Sequence, residues 1–426
     1  MSTTSLMNIW RPSMPIWDNA KNICLWGYGA EGKSAHRFLS KLWPDANFTV
    51  MTDHPEDDTQ ITPSAFKTED FDLVVKSPGI SLYHPLAQDI VESDTTLTSA
   101  TNLWFEANPD AKTLIITGTK GKSTCASLLY HLLRSMEKDV VLAGNIGVPL
   151  LDQLPAKDLT IIELSSYQLA DLHHTPTMMA ITNLYPEHTP WHNKSTQQYY
   201  DDKTRIARSG IFPLFTSRKN EEVLQRFENR ENVIWFDGFQ LPDTLETPRS
   251  LRGNHSKENI RLCLSILGHL GIDTDRALTH ISSFNGLPHR LEELGKRGKY
   301  IFVNDSISTI PETTIAALSV YQEQPICLIL GGQDRGQDYT KLGNELLKYN
   351  IQKIFLLPEN AKKIIDSVEG KSLCEMCDSL EEAMQKIELS DMEEDTIVLL
   401  SPAAPSYCQF KNFEERGDTF RRFSGF

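Results

Sequence analysis

The sequence predicts an α/β protein of three domains, and three recurrences of one pattern carry that prediction. NICLWGYGAEGKSAHRFLSKL, TLIITGTKGKSTCASLLYHLL and PICLILGGQDRGQDYTKLGNELL each pass from an apolar, strand-like run through a glycine-rich turn into a helical pattern. That succession is the signature of a βα unit in a parallel sheet. At 426 residues the chain is too long for one compact core, so each unit is expected to open or sit within its own domain.

In the first unit Gly27, Gly29 and Gly32 form G-x-G-x-x-G after CLW, and Ala35, Phe38, Leu39 and Leu42 follow at helical spacing. FTVMTDH reads as a second strand, ending near Thr52 and Asp53, about where a dinucleotide fold places its ribose-reading acid. On this motif alone NAD or FAD is one reading, and an ordinary glycine turn without a ligand is the other. DLVVKSPGIS adds a strand closed by a tight turn at Ser77, Pro78 and Gly79, and the next boundary is expected near Thr98 to Pro109.

In the second unit TLIIT is a strand, and from Ser123 a helix presents Leu128, Leu129, Leu132 and Leu133 on one face. Between them GTKGKS sits where backbone N–H groups and a helix N-terminus converge on an anion. Gly118 and Gly121 let the backbone fold tightly, Lys122 can reach a terminal phosphate, and Ser123 can ligate Mg²⁺. The Walker pattern has a further glycine where this chain has Ile116, so the cradle is short. ATP is the nucleotide this loop points to. Downstream, IIELSSYQ places Glu163 after a strand, LYPEHTPWHNKS carries Glu187, His188 and His192, and YYDDKTRIARSG puts Lys203 on a helix. Loops at the carboxyl ends of parallel strands build sites, so Ser123, Glu163 and His188 are expected to converge on metal. Residues 214–250 read as small strands and connections, and a third unit runs from GLPHRLEEL through YIFVNDS, CLILGG, KIFLL and IVLLSP as a covered parallel sheet.

The formal charge of −15 argues against a general role on nucleic acid or anionic membrane. Seven cysteines, an odd number, suit a reducing compartment, and the lone CxxC of Cys374 and Cys377 reads as structural. The opening MSTTSLMNIWRPSMPIWDN has no signal-peptide pattern, and no run approaches the roughly 18 apolar residues of a membrane span. A soluble cytoplasmic protein is expected.

TGTKGKST, AGNIGVPLL, ELSSYQL, GNHSKEN at Gly253 to Asn259, GLPHR, NDS and LSPAAPSYCQFKNFEERG together resemble the Mur ligases, ATP-dependent amide synthetases of peptidoglycan precursor assembly. The resemblance covers nearly the whole chain. ELSSYQL and FKNFEERG resemble the MurD branch, which adds glutamate to UDP-N-acetylmuramoyl-L-alanine. It implies a Rossmann-like UDP-binding domain at 1–100, a central P-loop-type ATPase domain at 101–286 and a Rossmann-like amino-acid-binding domain at 287–426. It also replaces the NAD reading: Gly29, Ala30, Glu31 and Gly32 would cradle the diphosphate of the UDP-sugar, with Thr52, Asp53 and the Ser77 to Gly79 turn near the nucleoside. Gly118, Thr119, Lys120, Gly121, Lys122, Ser123 and Thr124 would hold ATP. Ser123 and Glu163 would hold one Mg²⁺, His188 a second, and Lys203 matches the lysine such ligases carbamylate. Asn145 would contact the muramoyl substrate; Asn259, Arg290 and Asp305 would hold adenine, phosphate and ribose. GNHSKEN departs from the pattern, with His255-Ser256 in place of His-Asn.

Where the amino acid should bind, NDSISTIPETT, Arg335 in GGQDRGQDY and AAPSY depart from the D-glutamate enzymes and resemble the branch that adds L-glutamate and relies on a separate epimerase. An arginine fork fixes a carboxylate in two bonds where a lysine is a point charge. Thr309, Arg335, Ser406 and Phe413 are the expected grip. The same reaction with D-glutamate is the alternative. An NAD-dependent oxidoreductase, a non-catalytic nucleotide binder and a folate-type ligase are more remote; the first leaves the second glycine loop, Glu163 and Lys203 unexplained.

Overall fold

In the computed structural model, which describes residues 20–57, 59–146, 148–248, 251, 254–369 and 371–426, the three glycine-turn units fall on three separate sheets. The opening segment, Gly147 of AGNIGVPLL and Gly253 of GNHSKEN lie outside the described residues. Strands β1 (Asn22–Trp26), β2 (Asn47–Met51), β3 (Gln60–Ile61), β4 (Leu73–Lys76) and β5 (Thr96–Thr98) form a parallel sheet in the order β3-β2-β1-β4-β5. Ile23, Cys24 and Leu25 have no exposed surface, as a central strand covered on both faces requires. The chain leaves β1 for β2 on one side and returns to β4 on the other, so the Gly27 turn stands at the switch point where such sheets open a crevice.

Strands β6 (Thr113–Thr117), β7 (Val140–Gly144), β8 (Leu159–Glu163), β9 (Met178–Ile181), β10 (Leu214–Thr216) and β11 (Val233–Trp235) form a second parallel sheet, ordered β11-β10-β9-β6-β8-β7. Its central strand β6 is buried along its whole length and delivers the GTKGKS loop between β8 and β9. The helix Lys122–Ser135 buries Leu128, Leu129, Leu132 and Leu133, the face its spacing predicts.

The third sheet contains β12 (Glu292–Arg297), β13 (Tyr300–Asn304), β14 (Ile326–Gly331), β15 (Ile351–Leu357), β16 (Cys374–Met376) and β17 (Thr396–Leu400), ordered β12-β13-β17-β14-β15-β16. The four apolar runs expected to form a parallel sheet, now β13, β14, β15 and β17, pair in parallel, and at the sheet's edge β12 pairs antiparallel with β13. EELGKR is polar and half exposed, which suits an edge strand and hides it from a search for apolar runs.

Two compact units hold these sheets. One runs to Asp243 and takes in Glu258–His280; the other comprises Thr244–Lys257 and Ile281–Phe426. Within the first, a single apolar cluster joins Ile23 and Leu25 to Trp104, Ile115, Ile162 and Leu214. The stretch from Thr98 to Pro109 is therefore no exposed connection. It carries the helix Ala100–Ala107, whose Leu103 and Trp104 are buried and whose Trp104 indole donates to Gln153 O at 2.9 Å. Residues 214–250 likewise hold a helix, Glu221–Phe227, beside the expected strands.

Candidate active site

The GTKGKS loop is shaped by two glycines in backbone conformations that side chains resist. Gly118 has φ +138°, and a Cβ there would lie 2.0 Å from Thr182 Oγ1; Gly121 has φ +83°, and its Cβ would meet Asn259 Oδ1 at 2.9 Å. The loop is lashed to the segment after β9. Thr182 Oγ1 donates to Lys120 O at 2.6 Å, Lys120 N–H donates to Asn183 Oδ1 at 2.9 Å, and Tyr185 N–H donates to Thr119 Oγ1 at 2.9 Å. Cys125 N–H makes the first helical bond, to Gly121 O, so the N–H groups ahead of it have no carbonyl within the helix to meet. A preformed loop with a helix N-terminus behind it is an anion cradle. Lys122 Nζ donates to Thr119 O at 3.1 Å, Lys120 pairs with Glu187 at 2.5 Å, and Ser123 and Thr124 are half-buried at the helix start.

Glu163 ends β8 with no exposed surface. Asn145 Nδ2 donates to its Oε1 at 3.3 Å, while its Oε2 is buried with no hydrogen-bond partner. A buried carboxylate oxygen without a donor is costly unless a cation or ligand completes it. Lys203, on the helix Thr196–Ser209, is buried and donates to Gly118 O at 3.0 Å, directly under the loop. Burial first, then the neighbouring charge of Lys122, holds its amine well below the usual lysine range. His188 takes a left-handed conformation, φ +55°, and its Nε2 stands 3.5 Å from Glu187. Desolvation lowers its pKa, opposed by Glu187 and reinforced by Lys203 and Lys122.

These residues fit magnesium through the unpartnered oxygen of Glu163, the hydroxyl of Ser123 and the buried amine of Lys203, a group that carboxylation would turn into an anionic oxygen ligand. Among the described residues no three His, Cys, Asp or Glu side chains gather as one metal cluster; the expected set of Ser123, Glu163 and His188 contains two residues of those types.

On the first sheet, Gly32 packs so closely that a Cβ would sit 2.2 Å from Gly27 O, which brings the helix Ala30–Leu42 against the turn. Gly29 and Ala30 are exposed at the helix start, as a cradle needs. Glu31 instead turns to Gln168, whose amide donates to its Oε1 at 2.6 Å, and burial pushes its carboxyl up to about 7. Lys76, fully buried, pairs with Asp171 at 3.1 Å. Thr52 and Asp53 follow β2, Asp53 exposed.

In the unit of the third sheet Asp305 is buried after β13 and accepts from Leu291 N–H, Ser308 Oγ and Ser401 Oγ at 3.1, 2.5 and 2.7 Å. Burial nonetheless raises it to about 6. Arg290 is half-buried and near enough to oppose that rise. Thr309 is half-buried and its carbonyl accepts from Gln337; Ser406 is buried. Phe413 begins the final helix with its ring 6.1 Å from that of His289, and Arg335 is exposed, its guanidinium 5.5 Å from the ring of Tyr407.

Several buried polar groups escaped sequence reading. Arg416, 1% exposed, donates to Ser306 Oγ, Ser306 O and Ala404 O, binding three expected site segments together. Asp202 is another: it forms a buried pair at 2.5 Å with His192, which the sequence does single out. The signal for Arg416 lay in FKNFEERG; Asp202 was visible only as the residue before Lys203.

Residues 116–273 match the Mur ligase middle domain. The UDP-N-acetylmuramoyl-L-alanine–L-glutamate ligase of Salinispora tropica is 33% identical, aligned over 94% of this chain and 96% of that protein. The protein of the same name from Xanthomonas oryzae pv. oryzae is 32% identical over 95% of each chain. Among solved structures, the UDP-N-acetylmuramate-alanine ligase MurC of Thermotoga maritima superposes with a TM-score of 0.62 at 16% identity, covering 95% of this chain and 99% of that one. MurF ligase of the same organism, in complex with ADP, gives a TM-score of 0.58 at 13% identity, covering 95% and 96%. At such identities the structures speak for the fold alone.

Proposed function

The chain belongs to the Mur ligase family, and from that premise we propose that it joins L-glutamate to UDP-N-acetylmuramoyl-L-alanine at the expense of ATP in peptidoglycan precursor synthesis. The observation that carries this reading is Glu163, buried beside the glycine loop with one oxygen unpartnered, above a buried Lys203 amine bonded to that loop. The L-glutamate named for the relatives and the arginine at position 335 support the choice of enantiomer; D-glutamate is the competing substrate.

A carboxylate resists attack by an amine because its leaving group would be oxide. Transfer of the γ-phosphoryl group to the alanyl carboxylate, with ADP leaving, gives an acyl phosphate. The glutamate amine, having lost its proton, then attacks the acyl carbon and phosphate departs. The residues of this chain supply alignment and charge rather than a nucleophile. Gly118 to Thr124 cradle the phosphates, Lys122 neutralises the transferred group, Arg290 holds phosphate, and Asn259 and Asp305 hold adenine and ribose. Ser123 and Glu163 would hold one Mg²⁺, and His188 with carbamylated Lys203 another; bound there, the cations neutralise phosphate charge. Carbon dioxide adds to the unprotonated amine of a lysine, and burial shifts Lys203 toward that form.

Gly29, Ala30, Glu31 and Gly32 are assigned to the UDP diphosphate, Asn145 to the muramoyl group, and Thr309, Arg335, Ser406 and Phe413 to glutamate. The three sheets are assigned to domains at 1–100, 101–286 and 287–426. No helix among the described residues is long and apolar enough to cross a membrane. We place the enzyme in the cytoplasm, upstream of a separate epimerase that inverts the added residue. With the alanyl carboxylate labelled with ¹⁸O, one labelled oxygen should appear in released phosphate; unlabelled phosphate would contradict the acyl-phosphate route.

A further inference from the structure

Three of the residues assigned above to metal come from different segments, and one buried network ties those three segments together. His192, with no exposed surface, has Nδ1 2.5 Å from Asp202 Oδ2 and Nε2 2.9 Å from Ser166 Oγ. Asp202 immediately precedes Lys203, Ser166 begins the short helix that follows Glu163, and His192 closes the loop that carries His188. The helix Thr196–Ser209 adds Gln198, whose amide donates to Asp202 Oδ1 at 2.9 Å.

The network does not end in the second sheet. Tyr83, from the loop after β4, donates its hydroxyl to Asp202, 2.7 and 2.9 Å from the two carboxylate oxygens. The same loop grips the His188 segment twice. Ser81 Oγ donates to Trp191 O at 2.6 Å, and the Trp191 indole donates to Pro78 O and Gly79 O, each at 3.1 Å. Trp191 in turn stacks on Tyr167 with ring centroids 4.6 Å apart, and Tyr167 meets His188 edge-on at 5.2 Å. A side chain whose hydrogen-bonding atoms are all engaged by buried partners has one orientation, and it passes that constraint to the residues beside it.

We propose that the loop Pro78–Tyr83 of the first sheet is a working part of the ligase site: through Tyr83, Asp202 and His192 it positions Lys203, His188 and Glu163. The inference rests on the reaction proposed above. Tyr83 touches no reacting atom in that reaction; it is a positioning residue whose effect must travel through Asp202. Pro78 and Gly79 belong to the turn expected near the nucleoside, so the loop links the part of the site that meets the UDP-sugar to the part that meets ATP.

The test is steady-state kinetics of the full-length protein and its Tyr83→Phe, Asp202→Asn and combined variants, with melting temperatures measured alongside. Tyr83→Phe removes one hydroxyl and should lower kcat by about tenfold while KM for ATP and glutamate stays within about twofold. Asp202→Asn should cost about a hundredfold, and the combined variant should be no worse than Asp202→Asn alone, the non-additivity of a single chain of contacts. Added bicarbonate should recover part of the loss, because a displaced Lys203 holds its carbamate less well. Gln197→Ala, which removes an exposed contact to Asp201 on the same helix, should leave kcat unchanged. An unimpaired Tyr83→Phe beside an active wild type overturns this inference alone, as does a loss matched by a fall in melting temperature. An inactive wild type overturns the ligase reading and this inference with it.

Discussion

At the scale of single residues, charge and its burial decide what each group can do. Lys122 is half-buried at the helix start and donates to Thr119 O of its own loop at 3.1 Å, in the place where a terminal phosphate is expected, so its truncation should cost turnover far more than stability. Lys122→Ala is expected to lower kcat at least about a thousandfold while the melting temperature moves by no more than about 2 °C; near-normal turnover would show that the cradle is misassigned. Glu31 gives a prediction of the opposite kind, visible in stability. Burial raises its carboxyl from 4.5 to about 7, so the folded protein holds this proton more tightly than the unfolded chain. The stabilisation from that proton is full below about 4.5 and is lost as pH rises through about 7. Glu31→Gln keeps an acceptor for Gln168 without the titrating charge. Its melting temperature relative to wild type should therefore rise by about 2 °C or more between pH 5 and pH 8; an unchanged difference at both pH values would contradict the burial of this carboxyl.

At the scale of elements, the glycine loops are held by contacts that leave no room for a side chain. Gly118→Ala would force a methyl group to 2.0 Å from Thr182 Oγ1 at φ +138°, and should destabilise the first unit by more than about 2 kcal/mol in urea unfolding. An unchanged midpoint would mean that the loop relaxes freely. These turns, their strands and the helices behind them were legible because apolar runs, glycines and helical spacing report directly on backbone path. β12 was not, because an edge strand needs no apolar face, and EELGKR therefore reads like a loop. The helix Ala100–Ala107 is hidden for another reason: the stretch stands just ahead of the strand that feeds the glycine loop and so reads as a boundary, whereas Trp104 and Leu103 bury it in the shared core. Of the site, the loop and Glu163, His188 and Lys203 stood out as chemistry-bearing residues after strands or on a helix. Asp202, Ser166, Tyr83 and Arg416 did not, because their meaning lies in partners far away in sequence: Tyr83 and Asp202 are 119 positions apart, and Arg416 reaches Ser306 across 110.

At the scale of the whole molecule, three α/β sheets, two of them wholly parallel, place glycine turns at their strand ends, and family membership joins them into one ligase. The distinctive residues lie around the expected amino-acid grip, where Arg335 stands exposed beside Tyr407, its guanidinium 5.5 Å from the ring. An arginine there offers a planar fork whose two bonds fix a carboxylate's orientation, which is how a site can distinguish the two hands of glutamate. The most direct test supplies ATP, Mg²⁺ and UDP-N-acetylmuramoyl-L-alanine with either L- or D-glutamate, and follows phosphate release together with the mass of the product. Stoichiometric phosphate and the glutamylated UDP-sugar are expected with L-glutamate, and neither with D-glutamate. Product with D-glutamate alone would contradict the stereochemical assignment, and product with neither would contradict the ligase itself.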